Sequence, residues 1–465
     1  MSEPVLKSQV GVELRRGLGM WGAVAIVIGT VIGSGIFIVP NVMMRRVGSP
    51  EMVFVVWIVG GLMSLSGALT YAELSAAMPG AGGEYVYLRA AYGPLWSFFY
   101  GWTQMWVAKS GSIATLATAF FLYFSNFHPE LKQVMGTIPV PLGPDGGPLP
   151  VSYGQILAMV LIMLLAGLNY FGVRVGGEVQ IVVTICKVAL IFGVIAVGLF
   201  SGHGNAANLT SALPAGVATG GIAAFFAALV GSLWAYDGWN NVSMVASEIE
   251  NPQRNLPRAL IWGTASVMAI YMLANLAYFY VLPASEVAAS DLVAAEMMRK
   301  IAGQPGASAV AIAAMISIFA ALNGSILTGS RVPYAMARDG CFFPSMAKVH
   351  PTFQTPAVSI LALSAWSAVL VLSGRYDQLF TYVIFASWIL YGMTTAAVIV
   401  LRYKQPDLPR PYRTFGYPVV PIVFVISAAC LVLSTLIDSP RESLLGLALI
   451  ALGLPFYMYW KKSRL

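Results

Sequence analysis

Uncharged or nearly uncharged runs recur along the chain at residues 17–39, 52–77, 94–127, 152–172, 179–200 and 217–246, and again at 259–282, 307–330, 357–373, 378–401, 417–437 and 443–460. Each is as long as the roughly 17–25 apolar residues that carry a helix across a hydrocarbon core. The pattern therefore predicts an all-α membrane protein of twelve transmembrane helices, numbered here spans one to twelve in chain order. The stretches between them leave no room for a soluble domain; the largest are the Pro- and Gly-rich residues 127–150 and the polar residues 284–306. Residues 1–465 thus read as a single membrane domain. The polar start, Met1 to Arg16, has no short apolar segment ending in a small-residue cleavage site, so span one is expected to be its own insertion signal.

Two of these runs are interrupted. Span one contains Gly33-Ser34-Gly35, three poor helix formers in a row. Span six contains GSLWAYDGWNNV (231–242), where Gly238 sits among Trp234, Tyr236, Asp237, Trp239, Asn240 and Asn241. A break frees backbone N–H and C=O groups at membrane depth, which is tolerated only where they are buried in protein or line a cavity. A glycine-packed helix crossing would use the same residues in span one, and interfacial anchoring would use the tryptophans, although their mid-span position argues against that. Because an odd number of crossings separates the breaks, the two units have opposite orientation. That predicts an inverted repeat, residues 17–200 against 217–401, with residues 417–460 as two additional helices and a midplane site between the discontinuous helices one and six.

Composition narrows the class further. Hydrophobic residues make up 58 %, charged residues 10 %, and the mean hydropathy is +0.77, values outside the soluble globular range. The net charge of +7 would suit nucleic acid, but its placement suits a bilayer instead. With a cytoplasmic N-terminus, only Arg45, Arg46, Lys132, Arg299, Lys300, Arg375 and Arg441 fall on the far side, while Lys109 and Lys187 lie inside spans. The remaining Lys and Arg residues face inward. This bias predicts cytoplasmic termini in a cell-membrane protein. Cys186, Cys341 and Cys430 have neither metal spacing nor an evident disulfide pattern, and His128, His203 and His350 are scattered, so no metal and no cofactor is expected.

The breaks suggest their own ligand. Amides released at Gly33, Ser34 and Gly35, at a half-helix N-terminus, suit a carboxylate. Carbonyls released near Val31, Trp234 and Asp237 suit an ammonium. A molecule bearing both on one carbon is an α-amino acid, its side chain left to Tyr236, Asn240 and neighbouring helices. A channel would need a continuous polar path or a ring of pore-lining groups. An enzyme would need a nucleophile and base or a metal motif, and ATP-driven pumping a Walker sequence; none is present.

The stretches GTVIGSGIFIVP, TYAELSAAMPGAGGEYVYLRAAYG, LWAYDGWNNVSMVASEIENPQRNLPRAL, AALNGSILTGSR and VLRYKQPDLPRPYR, in this order from span one to the end of span ten, resemble the L-type amino acid transporter branch of the amino acid, polyamine and organocation superfamily. The resemblance implies a LeuT-type 5+5 fold, alternating access, and carboxylate binding at Ser34 and Gly35, with the amine on carbonyls of Val31, Trp234 and Asp237 and a polar contact at Asn240. Animal members are disulfide-bonded to a glycoprotein through a loop cysteine after span three; residues 127–150 contain none. The expectation is a solitary carrier, functional as a monomer, of a prokaryotic type.

Lys187, in the middle of span five, is too deep to reach the interface and is expected to face the interior. The resemblance places its ammonium where sodium-coupled relatives hold sodium, linking span five to the span-one break. The expected function is sodium-independent exchange of neutral L-amino acids. Proton symport with Lys187 titrating in the cycle, and a broader range including cationic amino acids, stay open. Trp388 is a candidate gate or pocket aromatic, and Lys109, Asn323, Ser325 and Thr328 are candidate path residues, packing being the alternative for each. Glu73, Glu84 and Arg89, flanking the Pro79–Gly83 turn, are expected to shape a cytoplasmic gate or loop and not to touch substrate. Asp237 has three open roles: pairing with a protein cation, receiving hydrogen bonds from backbone and Asn240, or facing the pocket. An inward structural role is favoured because Tyr236 and Asn240 already supply polar pocket edges.

Overall fold

The computed structural model describes residues 13–140, 147–214, 220–372, 376–438 and 440–462, together with residues 216 and 218. Lys7, Arg375 and Arg464 of the charge distribution lie outside them. Among the described residues, the regular structure is helical apart from a short antiparallel pair, Val134–Ile138 with Leu149–Ser152, in the loop after span three.

Among the described residues, eight helices are long and apolar enough to cross a bilayer, or nine when the bent pair Met20–Val31 and Gly35–Val47 is taken as one span. The eight are spans two, three, four, five, seven, eight, eleven and twelve, and the bent pair is span one. Spans six and nine supply the shorter helices Gly221–Ala235 and Ala357–Val371, and span ten the 29-residue helix Tyr376–Lys404. The short span six follows from its sequence, since Gly238 takes φ +110°, a conformation that a side chain would strain.

Boundaries moved where glycine permits a turn. Span five begins at Val173, earlier than residue 179, directly after Gly172 at φ +135°. Span eight extends back to Val293 as one helical run kinked at Ala302 and Gly303. Span three is one helix with a π-helical turn at Gln104–Ala108, which rotates the face that Lys109 presents.

Burial sorts the faces. On span five, Gln180, Thr184, Lys187 and Ile191 are buried, while Val182, Ile185 and Phe192 are exposed, apolar and suited to lipid. Spans two and seven pack side by side, as do the half-helices Gly35–Val47 and Gly221–Ala235. The last contact requires Gly35, where a Cβ would stand 2.9 Å from the Ala235 Cβ.

Candidate binding cavity between the two helix breaks

The break in span one is narrow. The first half-helix ends at Val31, Ile32 is extended, and a new helix starts at Gly35 with Ser34 before it. Among the described residues, no acceptor faces the amides of Gly33 and Ser34. They stand with the first amides of the second half-helix as orphan donors at a positive dipole end.

The freed carbonyls are met from three neighbouring spans. Lys187, with no exposed surface, donates from Nζ to the carbonyls of Gly29 at 2.7 Å and Ile32 at 2.6 Å. Ser317 of span eight donates to Ile32 at 2.9 Å, with Gly33 at 3.3 Å. The Tyr271 hydroxyl of span seven lies 3.2 Å from the Val31 carbonyl and 2.9 Å from that of Ala235, tying the two breaks together. Thr30 Oγ1 is 2.9 Å from the Gly238 carbonyl. A carbonyl oxygen has two lone pairs, so that of Val31 retains capacity for a ligand donor.

A small, polar cavity of about 50 Å³ lies between the breaks, well below the roughly 300–1,000 Å³ usual for an open small-molecule site. Val31, Gly33, Ser34, Gly35, Trp234 and Asp237 line it. Lys109 lines it too, and on the same helical face of span three so do Ser112 and Leu116, at spacings that stack one above another. Asn241 and Ser325 complete the polar wall.

Other candidates are placed elsewhere. Tyr236 is buried against Trp57 and Tyr271, its hydroxyl 3.3 Å from the Trp57 carbonyl. Asn240 donates to Glu84, whose other oxygen accepts from Tyr100 at 2.8 Å. Glu84 is therefore a buried anchor for the span-six turn. Asn323 joins Asn169 and Gln180 in a packed amide network, and Trp388 stacks on Phe424 of span eleven. Asp237 lines the cavity, half-buried, and accepts from the Tyr391 hydroxyl at 2.9 Å. The polar edges expected of Tyr236 and Asn240 come instead from Lys109, Asn241 and Ser325. The spacing of Lys109, Ser112 and Leu116 was the signal for part of that wall; Asn241 carried none that set it apart from Asn240.

Below the cavity, the arginine-rich end is closed by backbone pairing of the two broken spans. Gly17 and Leu18 donate to the Glu248 carbonyl at 3.0 and 3.1 Å, and Glu250 donates to that of Leu18 at 2.9 Å. The Glu248 side chain is held by Arg331. Nearby, Arg89 pairs with Asp339, and Glu73 with Arg402 and Arg410.

The two glycines of the break differ in room, and that yields a test. A Cβ at Gly33 would make ordinary contacts with Leu116 at 3.7 Å and Ala321 at 4.0 Å, whereas one at Gly35 meets both Cβ and Cα of Ala235 within 3.0 Å. Overpacking of that kind costs about 1–3 kcal/mol and parts the half-helices that frame the cavity. Gly35→Ala is expected to cut the uptake rate in proteoliposomes far more than Gly33→Ala. Equal losses would show that close approach at Gly35 is not what matters.

The sequence profile described as amino acid permease matches residues 18–451. The b(0,+)-type amino acid transporter 1 of Mus musculus is 31 % identical over 455 residues, covering 97 % of this chain and 89 % of its own. The serine/threonine exchanger SteT of Bacillus subtilis is 31 % identical over 454 residues, covering 97 % and 98 %. The human cystine/glutamate transporter is 30 % identical over 459 residues, covering 98 % and 88 %.

Proposed function

The chain belongs to the amino acid permease family, a multi-pass membrane transporter and not an enzyme, and on that premise we propose that it exchanges small neutral L-amino acids without sodium. One observation carries the proposal: Gly33 and Ser34, whose amides have no partner among the described residues, and Val31, whose carbonyl keeps a free lone pair, all line a single cavity. That is a donor set for a carboxylate beside an acceptor for an ammonium. The name of the Bacillus subtilis relative, a serine/threonine exchanger, agrees with small neutral cargo.

Lys187 supports sodium independence. Its ammonium already occupies the carbonyls of Gly29 and Ile32, the kind of oxygen set that a coupling cation would use at a helix break. Twelve crossings, a 5+5 inverted repeat of residues 17–200 and 217–401 and an added pair at 417–460 make up the proposed topology, with both termini cytoplasmic in the cell membrane. The pairing of span two with span seven, related members of the two repeats, supports it. The loop after span three has no cysteine, which favours a carrier that works alone.

Proteoliposomes loaded with unlabelled serine should take up labelled alanine or serine with no sodium on either side. Strict sodium dependence would overturn the proposal. Proton symport is the second reading, favoured by the lack of a carboxylate partner for Lys187 among the described residues. It would show as accumulation driven by a pH gradient alone in vesicles containing no amino acid.

A further inference from the structure

Two opposite charges line the cavity without forming an ion pair. Lys109 is 7 % exposed, and its ammonium donates at 2.6 Å to the Asn241 side-chain oxygen. Asp237 accepts from Tyr391. Both border the same empty space, near enough to interact electrostatically, and among the described residues neither has an ionic partner in contact. The third charge nearby, Glu84, is engaged by Asn240 and Tyr100 and does not line the cavity.

The lysine is built into this position. The π-helical turn at Gln104–Ala108 directly precedes it, and its aliphatic stem lies against Gly329 of span eight, where a Cβ would collide with the lysine Cγ and Cδ. A glycine there lets a long side chain run between two packed helices to the cavity wall.

We infer that Lys109 and Asp237 together are the specificity-determining pair of this site, selecting amino acids whose side chains both donate and accept hydrogen bonds: serine, threonine and asparagine. This rests on the reading of the cavity as an amino acid site. A side chain with only a positive charge meets Lys109, and one with only a negative charge meets Asp237; like-charge contact in a desolvated site is strongly unfavourable. An apolar side chain displaces water from both charges and returns no hydrogen bond. A hydroxyl or carboxamide gives Asp237 a donor and Lys109 an acceptor.

The inference predicts reciprocal changes on removing either charge. In proteoliposomes, uptake of labelled serine by the unaltered protein should be inhibited by threonine and asparagine and resisted by lysine, ornithine and aspartate. In Lys109→Met, lysine and ornithine should gain about tenfold or more in potency relative to serine, and in Asp237→Asn aspartate should gain similarly, as expected when one like-charge repulsion is lifted. Lys109→Arg, which keeps the charge, should keep the exclusion of lysine. Where a variant no longer transports, the shift in its melting temperature with each amino acid reads the same preference. Unchanged preference in Lys109→Met or Asp237→Asn would overturn the inference, as would a folded variant that no longer binds any amino acid, since both charges would then be scaffold. If the unaltered protein neither exchanges nor is stabilised by any amino acid, it is the transporter reading that fails.

Discussion

Arg331→Met is expected to destabilise the protein by about 3–5 kcal/mol, the range seen when one partner of a buried ion pair is removed and the other remains. Arg331 and Glu248 have no exposed surface and meet through two parallel contacts, Nε to Oε1 at 2.6 Å and Nη2 to Oε2 at 2.8 Å. The arginine also donates to the Leu327 carbonyl at 2.5 Å, closing the end of span eight. Without it the Glu248 carboxylate has no exposed surface and no cation. The double variant Glu248→Gln, Arg331→Met removes both charges and should regain most of the lost melting temperature in detergent. A double variant as unstable as the single one would place the loss in packing and not in the unpaired charge.

The same pair bears on transport. The backbone of Glu248 receives the amides of Gly17 and Leu18, so its side-chain anchor fixes the N-terminal end of span one against the end of span six. If the proposed exchange runs by alternating access and parts these two segments, a bidentate buried pair at the junction sets how firmly the closed arrangement is held.

The sequence disclosed the broad helical architecture because bilayer solvation leaves a strong imprint: apolar length and glycine interruptions are set by single residues or short windows. It placed Ser34, Gly35 and Asp237 at one cavity because helix breaks at membrane depth have few uses. It failed inside span six for a definite reason. Helical periodicity assigns faces by rotation of about 100° per residue, but Gly238 at φ +110° resets that rotation. Asn240 consequently turns to Glu84 and Asn241 to Lys109, which no count of residues along a regular helix would assign. The role of Glu84 was hidden in the same way. A carboxylate five residues beyond Pro79 reads as an inner-loop charge, and only tertiary packing brings it beneath Asn240 and beside Tyr100. The start of span eight was obscured because the polar residues 293–306 form helix outside the apolar window that defines a span.

Lys187→Met is expected to reduce exchange by at least about tenfold while leaving a folded protein, because the cost of an unmet buried acceptor is about 1–3 kcal/mol and does not approach that of an unpaired charge. Methionine keeps the length and apolar stem of the side chain but offers no donor. The Ile32 carbonyl would still have Ser317, whereas Lys187 is the side-chain donor that serves Gly29. The loss therefore falls on the last turn of the first half-helix, the segment that must hold Val31 and the following amides in register with the cavity. Exchange and proton coupling then separate cleanly. If the ammonium is a fixed structural cation, Lys187→Met depresses serine–alanine exchange at every pH tested, and a pH gradient drives no accumulation in the unaltered protein. If the lysine gives up and regains a proton in each cycle, the variant keeps exchange across preloaded vesicles and loses only accumulation driven by the gradient. The geometry of two carbonyls within 2.7 Å of one ammonium favours the first outcome, since each of those contacts is strongest when the donor carries its charge throughout.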